Sequence, residues 1–273
     1  MTTVPIDPIP AKPWDGLGRA VLAEWTKFRT VRSSFWTLLI SAGLTIGIGA
    51  AFLPMVIDSY GGPTDLTGYW AVREGWWFEG LHVGILAVMI LGVLVASSEY
   101  GTGTIQATLA AIPSRTRVLV AKAASFGAAA LVAGAVQAFG AFAAARPILA
   151  DRSIDVALTD PDALRGVAMA TLAVAGAGLF GLGAGLLIRH TAGAIGAVVV
   201  VMFVMPILTL LFPASWDDLA RVLPSSAMYG MFTPNSATFT AGPATAVFFG
   251  YVAALLTVTG VLFTRRDTSG GGR

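Results

Sequence analysis

The chain contains six apolar stretches, each close to the length of a membrane-crossing helix. A helix rises about 1.5 Å per residue and the hydrocarbon core of a bilayer is about 30 Å thick, so a crossing takes roughly 20 apolar residues. The stretches that satisfy this requirement are Ser34–Ile57, Gly80–Ser98, Val118–Ala145, Leu164–Ile188, Ala192–Pro213 and Pro243–Thr264. The pattern predicts an all-α integral membrane protein with six transmembrane helices.

Composition supports a chain surrounded largely by lipid. Of its 273 residues 56% are hydrophobic and 12% are charged, and the mean hydropathy is +0.77, whereas a soluble domain carries about 25% charged residues. There is no cysteine, which excludes disulfides, thiolate metal sites and a cysteine nucleophile. The formal net charge of +2 is too small to indicate nucleic acid as a partner.

The distribution of basic residues predicts the orientation. With six spans, 12 of the 17 Lys and Arg residues fall on one side of the membrane and 5 on the other. The positive-inside rule places the richer side in the cytoplasm, so both termini are expected there. The prediction is a cytoplasmic N-terminal segment (1–33), a transmembrane domain (34–264) and a cytoplasmic tail (265–273) in the cytoplasmic membrane.

The predicted spans carry no ionisable side chain near their centres. Lys122 and Arg165 lie near span ends, and Gln137 is the strongly polar residue well inside. Proton- or sodium-coupled carriers usually hold charged groups at mid-membrane, and an intramembrane hydrolase needs acid, base or nucleophile there. His82 and His190 are expected at opposite membrane faces, where they cannot share a metal. We therefore expect no catalytic residue, no metal site and no cofactor.

Ahead of the first span, the spacing predicts an amphipathic helix at the membrane surface. Apolar residues recur every three or four positions, with charged residues between them. The apolar set is Leu17, Val21, Trp25, Phe28 and Val31, and the charged set is Arg19, Glu24, Lys27 and Arg29. Such a helix lies in the interface with its apolar face toward lipid and its basic face toward water and anionic headgroups.

A second short helix is predicted between spans two and three. Gly101 and Gly103 interrupt the preceding helix, Thr104 is a plausible N-cap, and Pro113 ends about two helical turns. The Gly-x-Gly sequence follows no strand, and none of the three lysines follows a glycine as a phosphate-binding loop requires. The segment is therefore not expected to bind a nucleotide.

Small residues and a proline add structural detail. Glycines four residues apart allow close helix packing, either within the bundle or between two copies. The pairs are Gly43 with Gly47, Gly80 with Gly84, and Gly181 with Gly185. Pro206 removes a backbone donor inside span five and is expected to kink that helix.

These features together resemble the permease subunit of a type 2 ABC exporter of actinobacterial kind. The segments that carry the resemblance are 22–33, 99–104, Thr108-Leu109, Ala121-Lys122 and 265–267. Gly101 departs from the basic residue expected at its position. The resemblance implies a six-helix half-transporter with a separate ABC ATPase and a second copy or homologous permease. It also implies that the loop over Trp216–Gly242, including Leu223-Pro224-Ser225-Ser226, dips back into the membrane.

The same resemblance implies that the two short helices receive the motion of the ATPase. The residues expected to couple are Glu24, Trp25, Lys27, Phe28, Arg29, Glu99, Tyr100, Thr104, Arg115 and Arg117. Of these, Glu99, Arg115 and Arg117 are expected to face water. The predicted function is export of a lipophilic or amphipathic substrate, with ATP hydrolysed on another chain. The alternatives are a non-transporting scaffold or immunity protein and a proton-coupled carrier.

Overall fold

The computed structural model describes residues 16–60, 75–209, 211, 217–233 and 241–265, and over this part of the chain it is helical and contains no strand. The elements are α1 (Leu17–Thr30), α2 (Arg32–Tyr60), a 3-10 turn (Trp76–Phe78), α3 (Leu81–Gly101), α4 (Thr104–Ala111), α5 (Arg115–Ala150), α6 (Pro161–Ile188), α7 (Thr191–Thr209), α8 (Asp217–Val222), α9 (Pro224–Phe232) and α10 (Ala241–Arg265). The predicted tail beyond Arg265, and residues 1–15 of the predicted N-terminal segment, lie outside the described residues.

Six of these helices are long and apolar enough to cross a membrane, which confirms the predicted all-α, six-span class. They are Arg32–Ser59, Leu81–Gly101, Arg115–Ala150, Pro161–Ile188, Thr191–Thr209 and Ala241–Arg265. Each coincides with a predicted stretch. The chain is therefore a multi-pass membrane protein by helix number, length and composition.

The bundle is built around α6. In its apolar stretch 72% of the residues are buried, against 17% in α7 and 22% in α10. Close packing explains the difference, because a Cβ on Gly181 would collide with the backbone carbonyl of Met89, and one on Gly185 would come within 2.7 Å of the Val93 carbonyl oxygen. These glycines allow α3 and α6 to lie backbone against backbone.

The other predicted glycine pairs behave in two ways. Gly80 and Gly84 face α2, where an added Cβ on Gly80 would meet the backbone of Thr45. A Cβ on Gly43 or Gly47 would meet nothing within 4 Å. Two of the three pairs therefore pack within the bundle, whereas the pair on α2 lies on its outer surface.

Pro206 is accommodated by a change of helix type. Residues Val200–Val204 of α7 form a π-helical turn, in which the Met205 N–H donates to the Val200 carbonyl five residues back. Proline cannot donate a backbone hydrogen bond, and a π turn just before it is one way to rearrange the helix around the missing donor. The irregularity beside Pro206 is this π turn, and the kink expected at Pro206 stays a prediction.

Contacts between helix ends show which ends of the helices lie together at each end of the bundle. At one end, Arg115 donates to the Phe263 carbonyl over 2.8 Å, and the Arg189 guanidinium lies 5.1 Å from the centre of the Tyr100 ring. At the opposite end, Arg152 pairs with Asp58. The spans thus alternate in direction, and α1, α4 and the end of α10 share one end, named here the α1 end.

The predicted re-entrant loop is described over 217–233 and at 241–242, where α10 begins. There α9 is a buried helix that packs against α6 and α10. Tyr251 of α10 donates to the Val222 carbonyl over 2.8 Å, which holds the end of α8 beside it. Within the predicted loop, residues 216 and 234–240 lie outside the described residues.

Candidate functional site

Four charged side chains from three helices meet at the α1 end and are named here the charge cluster. Glu24 and Lys27 come from α1, Glu99 from α3 and Lys122 from α5. The Lys122 Nζ lies 2.6 Å from Glu24 Oε2 and 2.9 Å from Glu99 Oε1. The Lys27 Nζ lies 2.8 Å from Glu24 Oε1 and 3.1 Å from Glu99 Oε1. Each lysine thus bridges both glutamates in a closed ring.

Local structure explains why these residues meet. Glu24 and Lys27 are three residues apart in α1 and so project from neighbouring positions of one face. Glu99 lies in the last turn of α3, while Lys122 lies in the second to third turn of α5. Since α3 ends and α5 begins at the α1 end, both side chains reach the helix that lies across it.

Two of the four charged side chains are almost completely buried, so the cluster carries a cost for removing charge from water. Lys122 is 2% exposed and Glu24 is 6% exposed, whereas the Lys27 side chain is 46% exposed. Removing charges from water is expensive and is balanced only when each finds opposite charges and hydrogen bonds. The two glutamates and two lysines sum to zero formal charge, so the site is compensated as a unit.

The pKa values on α1 reflect this compensation. Burial alone would raise the pKa of Glu24, but the charges and hydrogen bonds of Lys122 and Lys27 outweigh it and the pKa is lowered from 4.5. Burial alone would lower the pKa of Lys27, but Glu24 and Glu99 outweigh it and the pKa is raised from 10.5. Both groups are therefore held in their charged forms.

The short helix α4 joins the charge cluster through Lys27. The Lys27 Nζ donates to Thr108 Oγ1 of α4 over 3.0 Å, so this one ammonium group contacts α1, α3 and α4. The predicted helix is present as Thr104–Ala111, but its N-cap is Gly103 at φ 73° rather than Thr104. A left-handed residue suits glycine, which is the reason for the shift by one position.

A cavity of about 580 Å³ opens beside the charge cluster, between α2 and α3 and beneath α1. Glu99 and Lys27 line its polar end, and Leu91, Leu94 and Val95 of α3 line its apolar part. The Oε2 atom of Glu99 is buried and has no hydrogen-bond partner among the described residues. The cavity thus lies between the charge cluster and apolar side chains of α3.

A second polar group lies deeper in the bundle and is named here the amide cluster. Gln137 of α5 donates through Nε2 to Ser41 Oγ over 2.8 Å, and Thr45 Oγ1 of α2 donates to Gln137 Oε1 over 3.3 Å. All three side chains are buried. Gly84 of α3 makes room for it, because a Cβ there would collide with Gln137 and Thr45.

Several sequence-based placements on α1 need correction. Glu24, expected among the charged residues that face water, is buried under α1, where it pairs with Lys122. Phe28 packs edge-on against Phe126 of α5 at 5.8 Å and not only against lipid. Trp25 stays 37% exposed, and Arg29 is exposed. The helix is therefore docked on the bundle by its buried face.

The residues predicted to couple near α3 and α5 are also less exposed than expected. Glu99 is 12% exposed, not water-facing, because both lysines of the charge cluster cover it. Arg115 and Arg117 are half-buried, and Arg115 is tied to α10. Tyr100 lies under Arg189, whereas Thr104 is exposed beside the cavity. The coupling role of the set stays a prediction.

The two histidines lie at opposite ends of the bundle, as predicted. His82 stacks on Tyr229 with ring centres 4.6 Å apart. His190 caps α7, accepting a hydrogen bond from the Gly193 N–H over 3.1 Å. Within the described residues no group of three or more His, Asp or Glu side chains is arranged to hold a metal ion.

Comparison with known protein families and curated sequences does not assign the chain to a family. No protein-family model matches the chain, and no curated protein sequence matches it. The resemblance to ABC exporter permeases therefore rests on the motifs, their order and the topology.

Proposed function

We propose that the chain is the membrane-spanning subunit of an ATP-driven ABC exporter and that a separate ATPase docks at the α1 end. The observation that carries the proposal is the charge cluster, which joins the two short helices to two spans. Lys27 contacts Glu99 and Thr108, and Lys122 contacts Glu24. A push on α4 or α1 is thereby delivered directly to α3 and α5, which is what a coupling site requires.

The proposed mechanism is rigid-body movement of the spans, driven from outside the chain. The predicted spans carry no ionisable side chain near their centres and the three lysines lack the phosphate-binding context, so in this proposal the driving force comes from another protein. A second copy or homologous permease completes the transporter. The exposed apolar faces of α2 and α7, with Gly43 and Gly47 on α2, support such pairing. The substrate class is lipophilic or amphipathic, since the spans offer few polar partners.

Co-purification is the direct test of this proposal. Tagged full-length chain extracted from native membranes is expected to bring one Walker-motif ATPase with it. In lipid vesicles the Lys27→Met complex is expected to keep its ATPase but lose coupled ATP-driven export. Arg152→Met, which removes an ion pair at the opposite end, is the matched control and is expected to behave as wild type. Absence of any ATPase in the wild-type eluate would overturn the proposal.

Two other functions predict different outcomes. A scaffold or immunity protein would co-purify with a partner that hydrolyses no ATP. A proton-coupled carrier would have to use the carboxylates of Glu24 and Glu99 in the charge cluster, although the two lysines hold Glu24 ionised. Such a carrier would take up substrate into vesicles under a pH gradient without ATP, and an uncoupler would abolish the uptake.

Orientation is tested separately. The proposal places the α1 end in the cytoplasm, following the 12 to 5 distribution of basic residues. A topology reporter inserted at Asp155, in the turn between α5 and α6, is expected to read external. A cytoplasmic reading at that position would reverse the orientation and exclude a cytoplasmic ATPase at the α1 end.

A further inference from the structure

The cavity beneath α1 is polar at one end and apolar at the other. At its polar end, where α2 begins and α3 ends, it is lined by the hydroxyl side chains Ser34, Thr37 and Ser98. Its apolar part reaches Leu91, which precedes Ser98 by seven residues, or about 10 Å along a helix. The volume of about 580 Å³ lies within the range of small-molecule sites. The cavity therefore suits a polar headgroup with the first part of an alkyl chain.

The charge cluster beside the cavity leaves no opposite charge for a ligand. The three hydrogens of the Lys27 ammonium group are already donated within the protein, to Glu24, Glu99 and Thr108. Lys122 is 2% exposed and lies between the two glutamates. Both oxygens of Glu24 accept from a lysine, and the second oxygen of Glu99 is buried out of reach of the cavity. A charged ligand would therefore stay uncompensated beside apolar side chains, which is costly, so the ligand is expected to be neutral.

The hydroxyl groups that line the cavity remain free to bind a ligand. Ser34 is 4% exposed, and its hydroxyl group, like those of Thr37 and Ser98, makes no hydrogen bond to another described residue. The oxygens of Ser34 and Thr37 keep accessible surface, and Ser98 is an exposed residue. A hydroxyl group both donates and accepts, so hydroxyl groups on a ligand can pair with these in either sense.

We propose that this cavity binds a neutral lipid from the adjoining leaflet whose headgroup carries hydroxyl groups. The ligand hydroxyl groups bond Ser34 of α2 and Ser98 of α3, which line the same polar end of the cavity. The acyl chain lies along Leu91 and Leu94, which line the apolar part. A glycerol monoester has this chemistry, since it joins two hydroxyl groups to a single acyl chain and carries no charge.

This proposal does not rest on ATP-driven transport, and its test needs no ATPase. Tritiated monooleoylglycerol is bound to the full-length protein in detergent and displaced by unlabelled lipids that carry the same oleoyl chain. Methyl oleate keeps the ester but lacks both hydroxyl groups, so a difference between the two esters reports the headgroup. Methyl oleate is expected to bind about tenfold more weakly, the factor that one or two net hydrogen bonds provide. Equal affinities of the two esters would overturn the proposal.

Two charged analogues test whether the site is neutral. Oleate and oleylamine carry the same chain length, and each is expected to displace monooleoylglycerol at least tenfold more weakly than the unlabelled ester does, because neither finds an opposite charge in the cavity. Tighter binding of oleylamine would show that a carboxylate of the charge cluster is within reach of a ligand. Tighter binding of oleate would show the same for an ammonium group. Either result would overturn the assignment to a neutral lipid.

Variants locate the site. Ser34→Ala combined with Ser98→Ala removes two hydroxyl groups with little change of volume, and is expected to bring the two esters within about twofold of each other. Ser97→Ala is the matched control, because Ser97 is the neighbouring residue on α3 but bonds Thr191 and does not line the cavity. Leu94→Trp fills the apolar part and is expected to abolish binding of both esters. Persistence of the preference in the double variant, or its loss in Ser97→Ala, would contradict the location.

Discussion

The charge cluster and the amide cluster both use α5, yet they solve burial differently. Lys122 and Gln137 are 15 positions apart, about 22 Å along the helix. Lys122 is surrounded by two carboxylates at the α1 end, whereas Gln137 meets the neutral oxygens of Ser41 and Thr45. On α5, the ionised group thus lies close to the end of the bundle, whereas the deeper group is a neutral amide.

The difference between the two clusters follows from how well water can solvate a polar group that loses its partner at each position. At the bundle end, half-exposed Lys27 still reaches water, so part of the ionic network is solvated. Deep in the bundle a charge costs about 2.5–3.5 kcal/mol on insertion scales, while neutral interhelical hydrogen bonds contribute about 0.6 kcal/mol on average. The charge cluster is therefore sensitive to losing one member, and the amide cluster tolerates change better.

Removing Lys122 is expected to have the largest effect. Lys122→Met leaves Glu24 and Glu99 buried beside each other, and breaking a buried ion pair in this way costs about 3–5 kcal/mol. We expect that loss in the free energy of unfolding, measured by denaturant titration in detergent. A loss below about 1 kcal/mol would mean that water reaches the cluster.

A charge exchange is the control for Lys122. Glu24→Lys alone places a third lysine beside Lys27 and Lys122 and is expected to destabilise the protein strongly. Combining it with Lys122→Glu restores zero formal charge and the opposite-charge pair between positions 24 and 122, but sets like charges against Glu99 and Lys27, so only a part of the loss should be recovered. A double variant less stable than Glu24→Lys alone would contradict a role for the pair between positions 24 and 122.

Gly84→Ala is the next largest disruption and acts on the amide cluster. The added methyl group would collide with Gln137 and Thr45, both of which are buried. Overpacking of this kind costs about 1–3 kcal/mol, to be read from the same unfolding titration. Gly43→Ala is the matched control on α2, where the methyl group meets open space. If the two alanine variants were equally stable, the close approach of α3 to α2 would be wrong.

Hydrophobic patterning predicts most of the fold. The six spans, the surface helix and the short helix bounded by Gly103 and Pro113 all follow from local composition, because length and breakers are properties of consecutive residues. The N-cap moved from Thr104 to Gly103, since the chain needs a positive φ there. Such a shift of one residue depends on backbone geometry that residue types alone leave open.

The sequence allows the burial of Glu24 in the candidate site to be predicted, but not the partners that it meets there. Glu24 follows Val21 by three residues and precedes Phe28 by four, which places it on the apolar face of α1. That position was a signal that the carboxylate is buried. Its partner Lys122 is 98 residues away and is reached only through the packing of α1 on α5. Thr108 and the unpaired Glu99 oxygen likewise depend on tertiary contacts.

Gln137→Leu is expected to have a smaller effect than either change above. Leucine keeps much of the volume and removes both hydrogen bonds, and the hydroxyl groups of Ser41 and Thr45 can turn to backbone carbonyls of their own helix. A loss of about 0.6–1.7 kcal/mol is expected in the unfolding titration. A loss as large as that of Lys122→Met would erase the distinction between the two clusters.

The smallest expected loss of stability is that of Lys27→Met, and its dependence on pH makes it measurable. Glu24 has a pKa below 4.5, so its contribution is present above that pH and is lost as pH falls through the lowered pKa. Lys27 has a pKa above 10.5, so its contribution is full below that pH and is lost as pH rises through the raised pKa. Hydrogen exchange of α1 amides, corrected for intrinsic rate, should therefore change little between about pH 5 and 10.

In Lys27→Met, one of the two lysines that lower the pKa of Glu24 is gone, so release of α1 in acid should begin at a higher pH than in wild type. Because Lys27 is 46% exposed, the stability lost at neutral pH should stay within about 1 kcal/mol. Amides around Gln137 are the internal control, since the amide cluster contains no titratable group and its protection should not follow pH in this range. Acid release of α1 at the same pH in both proteins would show that Lys122 alone sets the charge state of Glu24.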